Sequence, residues 1–442
     1  MVAIQGNGLG PDTRRSNVTT IAIPANTRTA KLRRLSFLDG LRGCAALGVV
    51  LYHLPLITTP NLPVPPWTKS LFLIGDTGVS LFFVVSAFSL CLTMPSHQRT
   101  RSPLFSFYLK RLLRIAPMFY VAILFWKVRT LYLGGPLPTP GQLVLNVLFL
   151  FNLSPSNADS LIFAGWTIGV EMLFYVAFPL LFRYFSTPLR KVAALLLSLA
   201  AYPVYLGILA LLPLAPDVAA RYSLLTIALY LPALASGMLA FDVYQALREH
   251  RAARDLGMVF VALAVMLEVL FITGHLDFAG LFPRHWVQLA CGMLLLGCAL
   301  RGLPYLLASA TRFFGNISYS VYLLHGPIIV TINPAIQRLY ATALPNAFKL
   351  PLAIVMTLAV IVPVCWLTFR VVEMPGIALA RQLWRGVSAR HAKSRFRRPV
   401  RPASAPAARA SEAFALFVAG RHRHRQADEH QPERQWQQPY RA

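Results

Sequence analysis

The sequence is poor in charge and poorer still in acid. Only 13% of its 442 residues are Asp, Glu, Lys or Arg, and 16 acids stand against 42 Lys and Arg. A soluble domain of this length carries about 25% charge, so an ordinary water-exposed globule is excluded. The five cysteines, Cys44, Cys91, Cys291, Cys298 and Cys365, all lie in apolar stretches with no CxxC pair, so neither a disulfide framework nor a metal site is expected. There is no glycine-rich phosphate loop, no internal repeat and no separate soluble catalytic segment. The first 36 residues are polar and basic and lack a short apolar core followed by a cleavage site, so no removable signal peptide is expected.

Long apolar runs fill the chain from Phe37 to Val372, and mean hydropathy is +0.56. About 20 apolar residues cross a bilayer as a helix. Only helices and closed barrels satisfy their backbone there, and barrel strands alternate polar with apolar residues, which these runs do not. The reading is an all-α, polytopic membrane helix bundle of about ten transmembrane helices, near 37–57, 71–94, 115–133, 163–185, 190–212, 222–241, 256–274, 285–301, 316–338 and 350–372. Residues 142–153 are apolar but short, and read as a re-entrant or interfacial piece.

The formal charge of +26 is concentrated outside the bundle. Residues 1–36 contribute +5 and residues 381–442 contribute +10, as basic tails beside anionic lipid rather than as a nucleic-acid surface. Lys and Arg also alternate between successive loops. The 95–114 segment, the 183–191 turn and the 242–255 loop are rich in them, and the opposite loops hold one or two each. The positive-inside rule then places both termini in the cytoplasm of a multi-pass plasma (inner) membrane protein. Residues 1–34 and 377–442 are expected to be basic tails, mostly disordered, flanking a membrane domain at 35–376.

Polar residues inside a bilayer are costly, so each one is a candidate for function. The first span holds Asp39, Arg42 and His53. Eleven residues separate Arg42 from His53, three turns plus about 20°, which puts them on one face about 16 Å apart along the axis. The second span carries Asp76 at its outer end and Ser86 near mid-membrane, in GDTGVSLFFVVSAFS. KRLLRIAP sets Arg111 and Arg114 one turn apart at the cytoplasmic surface, where guanidinium forks suit either phosphate or lipid headgroups. GWTIGVEMLFY buries Glu171 four residues before Tyr175, with Arg42, His53 or Arg114 as expected partners. Ser318, Tyr322 and His325 share a face at spacings of four and three, as a polar wall or a hydrogen-bond ladder between helices. Glu373 in VVEMP is expected to pair with a cytoplasmic arginine, and Glu268 stands inside a span without a motif.

The combination and order of these segments resemble acyltransferase family 3, multi-pass proteins that O-acylate bacterial surface polysaccharides, some antibiotics and related acceptors. Arg42 and His53 inside DGLRG match its Arg-x10-His pattern, and GDTGVSLFFVVSAFS, KRLLRIAP, WTIGVEMLFY, FGNISYSVYLLH and VVEMP resemble its later motifs in order, over about residues 35–376. One departure is Ser86-Ala87-Phe88 where the family commonly has Ser-Gly-Phe. The chain also lacks the extracytoplasmic esterase-like domain of some members, and is expected to act alone or with a separate partner.

The resemblance implies an acyl-CoA donor, usually acetyl-CoA, as co-substrate, with no permanently bound cofactor and no metal. It implies His53 as the essential catalytic residue and Arg42 as its companion. In the physical picture that fits, Arg111 and Arg114 hold the donor's phosphates and the pantetheine arm runs along the Arg42 face. His53 takes the proton of an acceptor hydroxyl. Asp39 or Glu171 orients the imidazole, and Ser86, Tyr322 or Trp166 donate to the oxyanion. A direct transfer and a covalent acyl intermediate both remain open. The leading acceptor is a lipid-linked or cell-surface glycan, with a small molecule or a lipid as alternatives. A polar-solute transporter lacks support from inverted repeats, and a scaffold would not need four ionisable side chains inside the membrane.

Overall fold

The computed structural model describes residues 36–65, 68–276, 282–301 and 305–396, and every regular element among them is helical. In chain order these are α1 (Ser36–Ile57), α2 (Lys69–Gln98), α3 (Pro103–Tyr132), α4 (Pro140–Val147), α5 (Trp166–Tyr184), α6 (Pro188–Ala210), α7 (Pro216–Leu225), α8 (Ile227–Leu247), α9 (Ala253–Ile272), α10 (Pro283–Arg301), α11 (Tyr305–Tyr340), α12 (Asn346–Thr368) and α13 (Met374–Phe396).

Local chemistry marks many starts. Proline stands at the first turn of α3, α4, α6 and α7, where its missing N–H would have been unpaired in any case. In α4 a capping box ties both ends of the first turn. Gln142 N donates to Thr139 Oγ1 at 3.2 Å, and Thr139 N donates to Gln142 Oε1 at 3.0 Å.

Eight of the ten expected spans are helices long and apolar enough to cross a membrane. The other two exist as helices but fail on composition. α3 carries five Lys and Arg over its 30 residues, and α10 begins with Arg284 and His285 and also holds Gln288. The apolar piece at 142–153 is the eight-residue α4 followed by a 3-10 turn at Phe151–Leu153. At 1.5 Å per residue that helix is about 12 Å long, far short of a bilayer. The C-terminal tail expected from residue 377 is helical as far as Phe396, in α13. The expected disorder of residues 1–34 and 397–442 falls outside the described residues.

Burial separates an inner from an outer layer. The apolar window of α2 is 78% buried and that of α11 is 72% buried, against 17% for α6 and for α9, whose exposed Leu196, Leu197, Val259 and Val265 suit a lipid environment. The inner helices approach backbone to backbone. A Cβ at Gly315 of α11 would overlap the carbonyl group of Asp39 on α1, and one at Gly43 would overlap the Thr311 carbonyl oxygen. Small residues permit such contacts where lipid supplies no hydrophobic drive between helices. Ala87 takes part in the same packing. Its Cβ lies against Gly237 of α8, so the extra methyl relative to the family's usual glycine fills a contact facing another helix.

Candidate active site

α1, α2 and α11 form the centre, and α3 and α5 close two chambers against it. The first is lined by Arg42 of α1, Ser86 and Ser89 of α2, Arg111 and Arg114 of α3, Glu171 and Tyr175 of α5, and Ser318 and Tyr322 of α11. The second is lined by Tyr52 and His53 of α1, Asp76 of α2, Trp126 of α3, Phe163, Trp166 of α5, and Tyr322. Val79 and Tyr322 line both, so they are the wall where the two chambers meet. That wall is braced from α5, since Thr167 Oγ1 donates to Tyr322 Oη at 2.9 Å.

The first chamber is built from cations and their satisfied partners. Arg42 pairs with Asp39 at 3.6 Å, one turn back, and donates from Nη2 to Ser89 Oγ at 2.8 Å. Arg111 donates from Nη2 to Thr93 Oγ1 at 2.9 Å and lies over the Tyr175 ring at 5.7 Å and the Phe107 ring at 5.9 Å. These contacts aim the guanidinium and leave most of its N–H groups for a ligand. Glu171 accepts from Ser86 Oγ at 2.7 Å and from the hydroxyl of Tyr175. Its partners are therefore neutral hydroxyls on α2 and on its own helix, in place of the expected Arg42, His53 or Arg114.

His53 belongs to the second chamber. Its Nδ1 lies 3.0 Å from the Val49 carbonyl oxygen and 3.1 Å from Nε2 of His325. The expectation that Asp39 or Glu171 orients this imidazole does not hold. Asp39 is fourteen residues away on the same helix, about 21 Å along its axis, and Glu171 is engaged in the first chamber. The sequence reading put His325 on the right face of α11 but missed its contact with His53. The signal was there in LLHGP, because Gly326 leaves room for the Phe163 ring that packs against both imidazoles, at centroid distances of 5.0 and 5.5 Å.

The remaining candidates are distributed as follows. Arg42, Arg111, Arg114, Ser86, Glu171 and Tyr322 come together around the first chamber, Trp166 faces the second, and Asp39 acts through Arg42 without lining either. Asp76 is neutralised by Arg284 of α10 at 2.9 Å, a partner the sequence did not suggest. Glu373 has no arginine within ion-pair reach among the described residues. It sits in a π-helical turn, Phe369–Glu373, buried at 4% exposure, and accepts from Ser320 of α11. Glu268 on α9 lies outside both chambers, and its Oε2 has no partner among the described residues.

Comparison with known proteins agrees with this geometry. A family model described as an acyltransferase domain matches residues 35–370, and so takes in every chamber residue named above. A protein of Acidianus two-tailed virus, named a putative acetyltransferase, is 26% identical over 295 residues, which cover 64% of this chain and 80% of the viral protein. Proteins of Staphylococcus aureus strains COL and MSSA476, named as O-acetyltransferases with the same qualifier, are each 27% identical over 178 residues, 37% of this chain. The match spans 27% of the length of those staphylococcal proteins. No solved structure matches the chain. With the family matched across the whole helical core, and with arginines and a histidine on either side of one tyrosine wall, this multi-pass membrane protein belongs to acyltransferase family 3.

Proposed function

We propose that the protein is an O-acetyltransferase that takes its acetyl group from an acyl-CoA bound in the arginine chamber and delivers it to a hydroxyl of a lipid-linked or cell-surface glycan in the histidine chamber. The observation that carries this reading is the division of labour across Tyr322 and Val79, with Arg42, Arg111 and Arg114 on one side and His53 on the other. The charge distribution among the loops supports a plasma (inner) membrane protein with both termini in the cytoplasm, so that the arginine chamber opens toward the cytosolic donor. The acceptor side is rich in aromatic rings, Tyr52, Trp126, Phe163 and Trp166, which suit the apolar faces of sugar rings, and Asp76 and Asp159 there are each paired with an arginine. The relatives' names support acetyl as the group moved and oxygen as its destination.

In this scheme His53 removes the acceptor's hydroxyl proton as the oxygen attacks the thioester carbonyl. The carbon–sulfur bond then breaks, CoA leaves as a thiolate, and the imidazolium returns the proton to it. Tyr322 and Trp166, which line the histidine chamber, are assigned as donors to the developing oxyanion. The same imidazole lone pair would serve an acyl-histidine intermediate, and label retained on the protein after donor alone would favour that route.

The test is reconstitution in vesicles with radiolabelled acetyl-CoA and an acceptor extract. Replacing the base removes a contribution of about 10²–10⁴-fold, so His53→Ala is expected to lose transfer by that factor while its thermal unfolding in detergent stays near wild type. Transfer at the wild-type rate in folded His53→Ala overturns the assignment.

A further inference from the structure

The His53–His325 contact fixes more than the position of a ring. A backbone carbonyl oxygen only accepts hydrogen bonds. The Tyr322 carbonyl lies 2.7 Å from His325 Nδ1, so that nitrogen carries the proton and His325 Nε2, in the neutral ring, is a lone-pair acceptor. That acceptor lies 3.1 Å from His53 Nδ1, and the Val49 carbonyl lies 3.0 Å from the same atom. Two independent acceptors therefore require the proton of neutral His53 to be on Nδ1. Its Nε2 is left with the lone pair, and among the described residues that nitrogen has no hydrogen-bond partner. The opposite tautomer would set lone pair against lone pair at both contacts.

We propose that His325 is a positioning residue that holds His53 as the Nδ1–H tautomer, with Nε2 free to act as the base in the acceptor chamber. This rests on the reading of His53 as the general base. His325 is fully buried and lines neither chamber, so it acts through His53 and not on the substrate. Its rigidity has visible causes. The i−3 bond to Tyr322 anchors the ring to its own helix. The Phe163 ring packs edge-on against both imidazoles, in space that a side chain at position 326 would fill. As His53 gains the acceptor's proton, the Nδ1–H bond becomes charge-assisted, and His325 Nε2 accepts the stronger interaction. The arrangement parallels the orienting carboxylate of a catalytic triad, with a neutral acceptor that suits a site inside a bilayer.

The test compares His325→Phe, which keeps an aromatic ring and removes the acceptor, with His325→Gln, whose amide oxygen restores one. The Phe variant is expected to lose about 10- to 100-fold in kcat, the worth of one hydrogen bond to a charged group. Its KM for acetyl-CoA should be unchanged, and the Gln variant should recover most of the loss. A structural role would lower both variants alike, so equal activity in the two, or full kcat in His325→Phe, overturns the proposal. A second measurement is independent of turnover. Protein labelled with ¹⁵N-histidine is expected to show His53 protonated at Nδ1 in wild type and, with the Val49 carbonyl as the remaining acceptor, a weaker Nδ1–H hydrogen bond and a reduced preference for that tautomer in His325→Phe, and a His53 spectrum unaltered by the substitution also overturns it. Should His53→Ala itself retain full transfer, the base assignment fails, and the nitrogen spectrum alone decides what His325 does to its neighbour.

Discussion

Arg111→Ala probes the donor end of the site. Arg111 is held by one hydrogen bond, to Thr93 at 2.9 Å, and by the rings of Tyr175 and Phe107, so its orientation is set before any ligand arrives. A hydrogen bond to a charged group is worth about 1.5–3 kcal/mol. Two other arginines line the chamber and share the load, which argues for the lower part of that range, about 1.5–2 kcal/mol. At about 1.4 kcal/mol per tenfold, KM for acetyl-CoA should rise about 10- to 30-fold. Because the nucleotide phosphates are the same in ground and transition state, kcat should stay near wild type. Arg111→Lys keeps the charge but loses the fork and the Thr93 bond, and should fall between the two. Dephospho-CoA thioester completes a cycle. If Arg111 holds the 3′-phosphate, the losses from substitution and from the shortened donor do not add, and if it holds the pyrophosphate they do. The assay is initial-rate kinetics in vesicles with the donor varied. A KM within twofold of wild type for both Arg111→Ala and Arg111→Lys, in protein that melts normally, refutes phosphate binding by this residue.

Two further predictions concern the frame. Gly315→Ala sets a methyl group onto the Asp39 carbonyl and forces α1 from α11, so it should cost about 3 kcal/mol or more. Gly207→Ala on α6, with open space around it, should be neutral or stabilising by about 0.5–1 kcal/mol; both are read by thermal unfolding in detergent, and equal melting points would contradict the packing argument. Lys191 and Asp242 meet at 2.6 Å, with the lysine side chain 4% exposed, so Asp242→Ala strands an ammonium and should cost about 3 kcal/mol or more. The double change Asp242→Leu with Lys191→Met should recover most of that, and a double variant no better than the single one would show that the ion pair is not what is lost.

The parts of the fold that the sequence revealed are those where one force dominates. Runs such as 190–212 and 256–274 are predominantly apolar, and their helices α6 and α9 are found at those places, largely unburied as lipid-facing helices should be. The length of the run gives α10 although Arg284, His285 and Gln288 lower its hydropathy; Arg284 and Gln288 make sense once Asp76 and the Leu229 carbonyl are seen beside them, and buried His285 finds no hydrogen-bond partner among the described residues. Helical periodicity gave the faces in part. Ser318 and Tyr322 line the first chamber, but His325, expected on the same polar wall, lines neither chamber, and Arg42 and His53 of α1 fall to different chambers. What periodicity could not give is the partner across a gap. Glu171 had three cations as plausible neighbours, and the structure pairs it with Ser86 and Tyr175. Glu373 had an arginine as the simplest partner, and a π-helical turn gives it Ser320. Both errors come from one assumption, that a carboxylate inside a membrane must find a cation. Hydroxyl donors solvate it as well, two of them at Glu171 and Ser320 at Glu373.

That substitution of hydroxyls for cations has a consequence for the donor chamber. Had Glu171 paired with Arg111 or Arg114, the arginine would meet a carboxylate of its own, and a phosphate would have to displace it. Instead Glu171 is satisfied by Ser86 and Tyr175, and Asp39 pairs with Arg42. The lining of the chamber therefore carries three guanidinium groups against one carboxylate, Glu171, a surplus of positive charge in a site walled by low-dielectric helices. An anionic ligand relieves that surplus, and its field is screened less there than at an open surface. The same logic makes free CoA, which keeps every phosphate, a competitor of acetyl-CoA. Its inhibition constant should rise in Arg111→Ala by the factor found for the donor's KM, since both report the same phosphate contacts. A CoA inhibition constant that stays put while the donor's KM rises would locate the Arg111 effect at the acyl end, and the arginine chamber would then have to be read as something other than a nucleotide site.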